Sequence, residues 1–339
     1  MDDRYSRQLL FKPVGLKGQQ NMADASVAII GCGALGSAIA ETLTRAGVGE
    51  IHLVDRDYVE WSNLQRQQLF TEEDAKEMVP KVVAAEKRLK AIRSDLRLSV
   101  YLEHLDAGLM EKLAGRCSLI MDATDNFETR LLINDASAKF AVPWIYGACV
   151  GSTGAVFPFI PGESSCFRCL LPVLPTVNQT CDTAGIIPPA VQVTAAIQCT
   201  EALKWLSGNR SAMRKRVHHF DLWENIQHDI GVSRIRNPEC ATCGNAPAYP
   251  SLNGAGQGAY AVLCGREAVQ VLPGPDRIIS LADAETIGRR MGGKVKRTPY
   301  FVELQVFGKR AVLFADGRLL IHGIRNVPEG RNFYHQLFG

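Results

Sequence analysis

One feature constrains this chain more than any other. An apolar run, Val27 to Ile30, ends in Gly31-x-Gly33-x-x-Gly36 and opens a helix-like segment. A second apolar run, Ile51 to Val54, closes on an acid, Asp55. The order predicts a strand, a tight turn, a helix, and a strand ending in a ribose-binding carboxylate. Gly31 allows the sharp turn, Gly33 lets the backbone approach a phosphate, and Gly36 lets helix and strand pack closely. The helix N-terminus adds free N–H donors and a positive dipole end. The pattern calls for a nucleotide without saying which one.

The residues after Asp55 narrow the choice. Asn63, Arg66 and Gln67 follow within a dozen positions. A nicotinamide dehydrogenase shares the glycine turn but has no use for these three. A triphosphate does, because it needs cations and donors beyond the turn. Lys81, after Pro80 at the start of a helical pattern, supplies a second cation. Leu119 to Asp122 predicts another strand ending in acids, and Asp122 or Asp125 there suits magnesium.

Two Cys-x-x-Cys pairs, Cys166/Cys169 and Cys240/Cys243, have the local spacing of tetrahedral zinc ligands. The long interval between them makes the metal a tie between distant segments, closed and structural. Four unrelated thiols or a redox pair are the competing readings.

Taken in order, Arg4-Tyr-Ser-Arg7-Gln8, the glycine turn, Ser62-Asn63-Leu-Gln-Arg66-Gln67, Pro80-Lys81 and Asp122-Ala-Thr-Asp125-Asn126 resemble the ThiF/MoeB/HesA family. These are ubiquitin-activating-enzyme-like adenylyltransferases. The likeness runs from Arg4 to Cys243, with Ala34 standing where many members carry another glycine.

The resemblance implies ATP as substrate, Mg2+, and a structural Zn2+ on the two cysteine pairs. It implies adenylation of the C-terminal glycine of a ubiquitin-like sulfur carrier protein ending in Gly-Gly, in thiamine or molybdenum cofactor biosynthesis. Asp55 would hold the ribose, and Arg66, Asn63 and Gln67 the phosphates. Lys81 would lie by the α-phosphate, Asp125 on magnesium, and Asn126 at the frame of the site. Arg7 would reach the site of the other subunit of a homodimer. Cys181, in a proline-rich loop, is a candidate for a covalent bond to the carrier. A cysteine desulfurase or rhodanese would donate the sulfur. The alternatives are an offshoot adenylating another substrate and a non-catalytic, zinc-tied regulatory subunit.

The expected fold is α/β: a Rossmann-like, mostly parallel sheet extended by antiparallel strands. The expected domains are 1–250, carrying the ATP and zinc sites, and a small α+β domain at 259–339. Strands are expected at Val27–Ile30, Ile51–Val54, Leu98–Tyr101, Leu119–Met121 and Trp144–Tyr146, and antiparallel ones from Gly151 to Ile160. Helices are expected at Tyr5–Met22, Leu105–Leu113, Thr129–Phe140 and Val191–Leu206. Residues 172–189 are expected to form a mobile crossover loop. Cys32, Cys117, Cys149 and Cys199 are expected to be buried and inert, and His218 and His219 structural. The C-terminal segment lacks the repeated parallel β-α pattern of a rhodanese. It shows strands at 268–272, 294–297, 301–306, 310–313 and 319–321, helices at 282–291 and 331–337, and an Asp316-Gly317 hairpin turn.

The net charge of +3, from 38 basic against 35 acidic residues, gives no case for nucleic acid or a membrane surface. No apolar run spans a bilayer and the start is too polar for a signal peptide. With ten cysteines and metal-type spacing, the expected compartment is the reducing cytoplasm.

Overall fold

The computed structural model describes residues 3–173, 184–232, 235–253, 260–263, 268–272 and 279–339. The chain divides into two compact units, residues 1–255 and 256–339.

The first unit is built on an eight-stranded sheet. Its strands are β1 (Ser26–Ile30), β2 (Glu50–Val54), β3 (Arg97–Tyr101), β4 (Leu119–Asp122), β5 (Trp144–Val150), β6 (Thr153–Phe159), β7 (Arg216–Asp221) and β8 (Ile226–Gly231). Their spatial order is β3-β2-β1-β4-β5-β6-β7-β8. β1 to β5 pair in parallel and β5 to β8 antiparallel. From β1 the chain winds first to β2 and β3, then returns to β4 on the other side. The crevice at the ends of β1 and β4 is therefore a topological switch point, where open parallel sheets bind ligands.

The helices are α1 (Ser6–Leu10), α2 (Gly15–Asp24), α3 (Ala34–Ala46), α4 (Glu72–Lys76), α5 (Lys81–Ile92), α6 (Ala107–Ala114), α7 (Phe127–Phe140), α8 (Phe167–Leu170) and α9 (Pro188–Leu206). The inner strands are apolar on both faces because helices cover both. Val27, Ile29, Ile51 and Leu53 pack with α3, α5 and α9. Ala28, Ile30, Val54 and Ile120 pack with α6 and α7.

Several expected elements are redrawn. The Tyr5–Met22 helix is two helices, because Pro13 lacks the N–H a continuous helix needs. The helix expected from Leu105 begins at Ala107, where Asp106 accepts the Leu109 N–H at 2.8 Å and caps it. α9 starts at Pro188 rather than Val191, with prolines in its first turn, where a missing N–H costs nothing. β5 runs on to Val150. Pro158 sits inside β6, but β6 pairs with β7 only from Thr153 to Val156, so its missing N–H leaves no gap in the ladder. Of the expected crossover loop, 174–183 lie outside the described residues, and Cys181 with them.

The second unit is a six-stranded sheet in the order β11-β12-β13-β14-β10-β9. Its strands are β9 (Tyr260–Leu263), β10 (Ala268–Val271), β11 (Lys294–Arg297), β12 (Phe301–Val306), β13 (Lys309–Phe314) and β14 (Leu319–His322). Every described pairing is antiparallel. Val269, Leu304, Leu313 and Ile321 pack against α10 (Leu281–Arg290) and α11 (Val327–Phe338) through Ala284, Phe333 and Leu337. The Asp316-Gly317 turn is present, with Gly317 at φ 84°.

Candidate functional site

The glycine turn occupies the switch point. Gly31 follows β1 at φ 96°, a conformation open to glycine. Its N–H donates to the Val54 carbonyl at 2.8 Å, and a Cβ there would lie 2.5 Å from the Ala123 oxygen. A Cβ on Gly36 would lie 1.9 Å from the Gly31 oxygen. These two positions weld the turn to the start of α3 and to the loop after β4. Gly33 differs: a Cβ would meet nothing nearer than Gln67 Nε2 at 3.8 Å. The turn thus has a bare side, faced by Gln67 and lying at the N-terminus of α3.

Asp55, just past β2, locks onto that turn. Its Oδ2 accepts the Cys32 N–H at 2.6 Å and its Oδ1 accepts the Asp57 N–H at 2.7 Å. A carboxylate has about four acceptor sites, so two bonds leave capacity for hydroxyl donors. Burial pushes its carboxyl above the ordinary value, while Lys81 pulls the other way. Lys81 opens α5 with only 3% of its surface exposed. Its Nζ lies 3.5 Å from Asp57 Oδ2, and its own N–H donates to the Asp57 carbonyl at 2.9 Å. Cys32 is buried with its Sγ 3.9 Å from the Lys81 carbonyl, and burial holds the thiol well above its usual pKa.

The segment between β2 and α5 brings the remaining polar groups. Asn63 is buried, and its Oδ1 accepts the Glu60 N–H at 3.1 Å in a capping box. Arg66 is half-buried and donates to the Ser62 carbonyl at 2.8 Å. Gln67 is 4% exposed, and its Oε1 has no hydrogen-bond partner among the described residues.

At the end of β4 the acids separate by role. Asp122 is fully buried, accepting from Thr124 N and Oγ1 at 2.9 and 2.7 Å and from Arg130 Nε at 3.0 Å. It shapes the loop. Asp125 is exposed at the mouth. Asn126 caps α7, its Oδ1 accepting the Thr129 N–H at 2.8 Å, and its Nδ2 lies 3.4 Å from Asp125 Oδ1.

Sequence reading missed two groups that hold this loop. Arg130 Nη2 donates to the carbonyls of Thr124 and Gly147 at 2.6 and 3.2 Å. Gln198, on α9, donates to the carbonyls of Asp122 and Ile145 at 2.8 and 3.2 Å. Together they grip the place where β4 and β5 diverge. The available signal was a polar residue at a core-facing helical position, which looks the same as a surface residue until the face is known.

The chain does not bring Arg7 to its own glycine turn. Arg7 is exposed on α1, and the adjacent Gln8 donates to the Ala46 carbonyl at 2.9 Å. Ala46 ends α3, whose 13 residues put it roughly 20 Å from the turn.

The four cysteines of the two pairs do converge, with all four Sγ atoms within 4.8 Å of one another. Cys166 lies 3.6 Å from Cys240, and Cys169 lies 3.6 Å from Cys243. Zinc–sulfur bonds of about 2.3 Å in a tetrahedron imply sulfur separations of about 3.8 Å, so the set fits zinc. Burial lifts Cys169 to about 11. Burial also opposes ionisation of Cys240, yet the backbone donors of Cys243 and Thr242, with neighbouring thiols, bring it to about 7. Cys32, Cys117 and Cys199 are buried as expected, whereas Cys149 is only half-buried because β5 carries it past the packed part of the sheet. His218 pairs with Asp229 at 2.8 Å across β7 and β8.

Residues 5–242 match the ThiF family. The chain is 45% identical over 342 residues to the sulfur carrier protein ThiS adenylyltransferase of Bacillus subtilis, covering 100% of both. It is 37% identical over 257 residues to the sulfur carrier protein adenylyltransferase of Thermus thermophilus, covering 74% of this chain and 93% of that one. The crystal structure of Escherichia coli MccB with ATP shares the fold, with a TM-score of 0.62 at 23% identity over 72% of this chain and 75% of that one.

Proposed function

The chain belongs to the ThiF family, and from that premise we propose an ATP-dependent adenylyltransferase. Its substrate is the C-terminal glycine carboxylate of a ubiquitin-like sulfur carrier protein. One observation carries the reading: a bare-sided glycine turn, a locked Asp55, a buried Lys81 and an unsatisfied Gln67 amide converge at one switch point. A dehydrogenase accounts for the first two only.

In this reading the carboxylate attacks the α-phosphate, an acyl-adenylate forms and pyrophosphate leaves. The nucleophile is already ionised, so the protein supplies position and charge rather than a general base. Asp55 accepts from the ribose hydroxyls. The bare side of Gly33 and the α3 N-terminus cradle phosphate, with Gln67 and Asn63 beside them. Lys81 and Arg66 neutralise charge as it shifts toward the leaving pyrophosphate. Asp125 is the ligand for Mg2+, which screens the triphosphate when bound. Asp122 and Asn126 hold the loop.

The four thiolates hold a structural zinc. The distance of Arg7 from its own turn supports action in the neighbouring subunit of a homodimer. The exposed Leu10, Phe11 and Leu16 beside it, at 72%, 62% and 64%, suit a subunit contact. The full-length likeness to an enzyme named for ThiS favours a ThiS-like carrier and thiamine biosynthesis over the molybdenum cofactor pathway. Cys181 stays a candidate for the covalent carrier bond, and a cysteine desulfurase or rhodanese for the sulfur donor. Among the described residues no helix is long and apolar enough to cross a membrane, and the free thiols suit a cytoplasmic enzyme.

The test is exchange of labelled pyrophosphate into ATP. It should appear with a Gly-Gly-ended carrier and vanish when the carrier's last glycine is removed. Exchange that ignores the carrier, or nicotinamide binding in its place, would overturn the assignment.

A further inference from the structure

Asp135 lies in the second half of α7 with none of its surface exposed. Its carboxylate accepts from Arg168 Nη2 at 3.2 and 3.3 Å and from the Ser251 N–H at 2.8 Å. The Thr242 hydroxyl donates to it as well. Arg168 closes the ring, giving Nε to Thr242 Oγ1 at 3.0 Å and Nη2 to Ser251 Oγ at 3.1 Å. The neighbouring Asn134 accepts the Phe167 N–H at 2.8 Å.

The placement of the donors matters most. Arg168 lies between Cys166 and Cys169, and Thr242 between Cys240 and Cys243. Each knuckle therefore contributes one residue to the same buried carboxylate, across a sequence gap of 74 positions. A buried ion cluster is a poor source of net stability, since well-packed apolar groups do as well. What it supplies is geometry: one carboxylate, with donors in fixed directions, sets how far apart the knuckles stand.

We propose that Asp135 is a positioning residue for the four-thiolate site. It touches no ligand position itself. It sets the separation and orientation of the two knuckles, so that four sulfurs are offered to a divalent, thiophilic cation at tetrahedral spacing. Outer groups of this kind commonly change metal retention about 10- to 100-fold. The inference rests on reading the four thiols as a zinc site. That reading is tested separately by the metal content of the unaltered protein and by its loss in Cys169→Ser.

The experiment uses the full chain loaded with one equivalent of zinc, released into an excess of a chromophoric chelator. Asp135→Asn keeps the volume and removes the charge, and should release zinc about 10- to 100-fold faster. Thr242→Val removes one arm and should give a smaller acceleration. In the cobalt-substituted protein, Asp135→Asn should weaken the tetrahedral thiolate absorption bands, a signature that a general loss of packing at unchanged coordination would not move. Unaltered release and unaltered cobalt bands in Asp135→Asn would overturn the proposal. Should that variant fail to fold, unaltered release in both Thr242→Val and Arg168→Lys would overturn it equally.

Discussion

In the glycine turn the ligand cradle is made of side chains that are missing; in the cysteine knuckles it is made of side chains gathered from far apart. The turn spans six residues, Gly31 to Gly36, and its bonds run to adjacent strand ends. The knuckles join segments 74 residues apart and depend on a carboxylate from a third element. The two sites are therefore vulnerable in different ways. A single methyl can destroy the turn, whereas the knuckles fail only when a ligand or a tie is removed. α7 runs from the loop after β4 to the knuckles, with Asn126 capping it beside Asp125 and Asp135 bonded to both knuckles.

The largest effect is expected at Gly36. A Cβ 1.9 Å from the Gly31 oxygen cannot be relieved by a rotamer, because the obstacle is backbone. Gly36→Ala should cost at least about 3 kcal/mol, the upper range for overpacking, and abolish pyrophosphate exchange. Urea denaturation and exchange measure the two losses together. A variant with normal stability and exchange would show that the turn is not a rigid element.

Next comes Lys81. Lys81→Met keeps the stem's volume but leaves Asp55 and Asp57 without their cation, so about 1–3 kcal/mol of stability should be lost. Exchange should drop about 10²–10³-fold, the usual consequence of deleting one charge-stabilising group. Near-normal exchange in a destabilised but folded variant would recast Lys81 as a partner of Asp57 alone.

The knuckles should behave in the opposite way. Cys169→Ser should lose the metal and lower the unfolding midpoint on the order of 10 °C, at 2–4 °C per kcal/mol for a unit of this size. Exchange at low temperature should keep its order of magnitude, because the thiols lie outside the nucleotide groups. Loss of exchange in a folded, metal-free variant would mean that α7 transmits the state of the knuckles to Asp125.

How much of this was legible in sequence follows the same contrast. Gly31, Gly33, Gly36 and Asp55 were legible because their partners sit at fixed short offsets and the apolar strands bracket them. The cysteine pairs were legible by spacing, but their tie was not. Asp135, Arg168 and Thr242 are ordinary polar residues until the fold places them together. Gln198 and Arg130 were hidden for the same reason. β7 and β8 escaped because β8 is exposed at all six positions and β7 buries only Val217 and Phe220, three residues apart, so neither shows a period-two alternation. The second unit was read more closely: β11 and β12 fall at the expected residues because Gly292-Gly293, Pro299 and Gly308 bracket two short runs rich in valine.

The smallest effect, and the sharpest test of the comparison, is expected at Gly33. It shares the turn with Gly36 but faces the bare side, where the nearest atom to an added Cβ is a side-chain nitrogen at 3.8 Å. Its φ of −78° is negative, but its ψ of −142° lies outside the α and β ranges, so alanine enters without a clash and with some backbone adjustment. Gly33→Ala should therefore fold, with stability lowered by about 1 kcal/mol, the low end for a sparsely populated backbone conformation. The methyl would stand where phosphate approaches the backbone. The expected result is a KM for ATP raised about tenfold, or about 1.4 kcal/mol of binding, with kcat changed much less. Steady-state kinetics on both glycine variants separate the two roles: Gly36→Ala loses fold and function together, and Gly33→Ala loses only affinity. An unchanged KM in Gly33→Ala would place the phosphates elsewhere than on the bare side of the turn. It would leave Gln67, with its unsatisfied buried oxygen, without the ligand assigned to it.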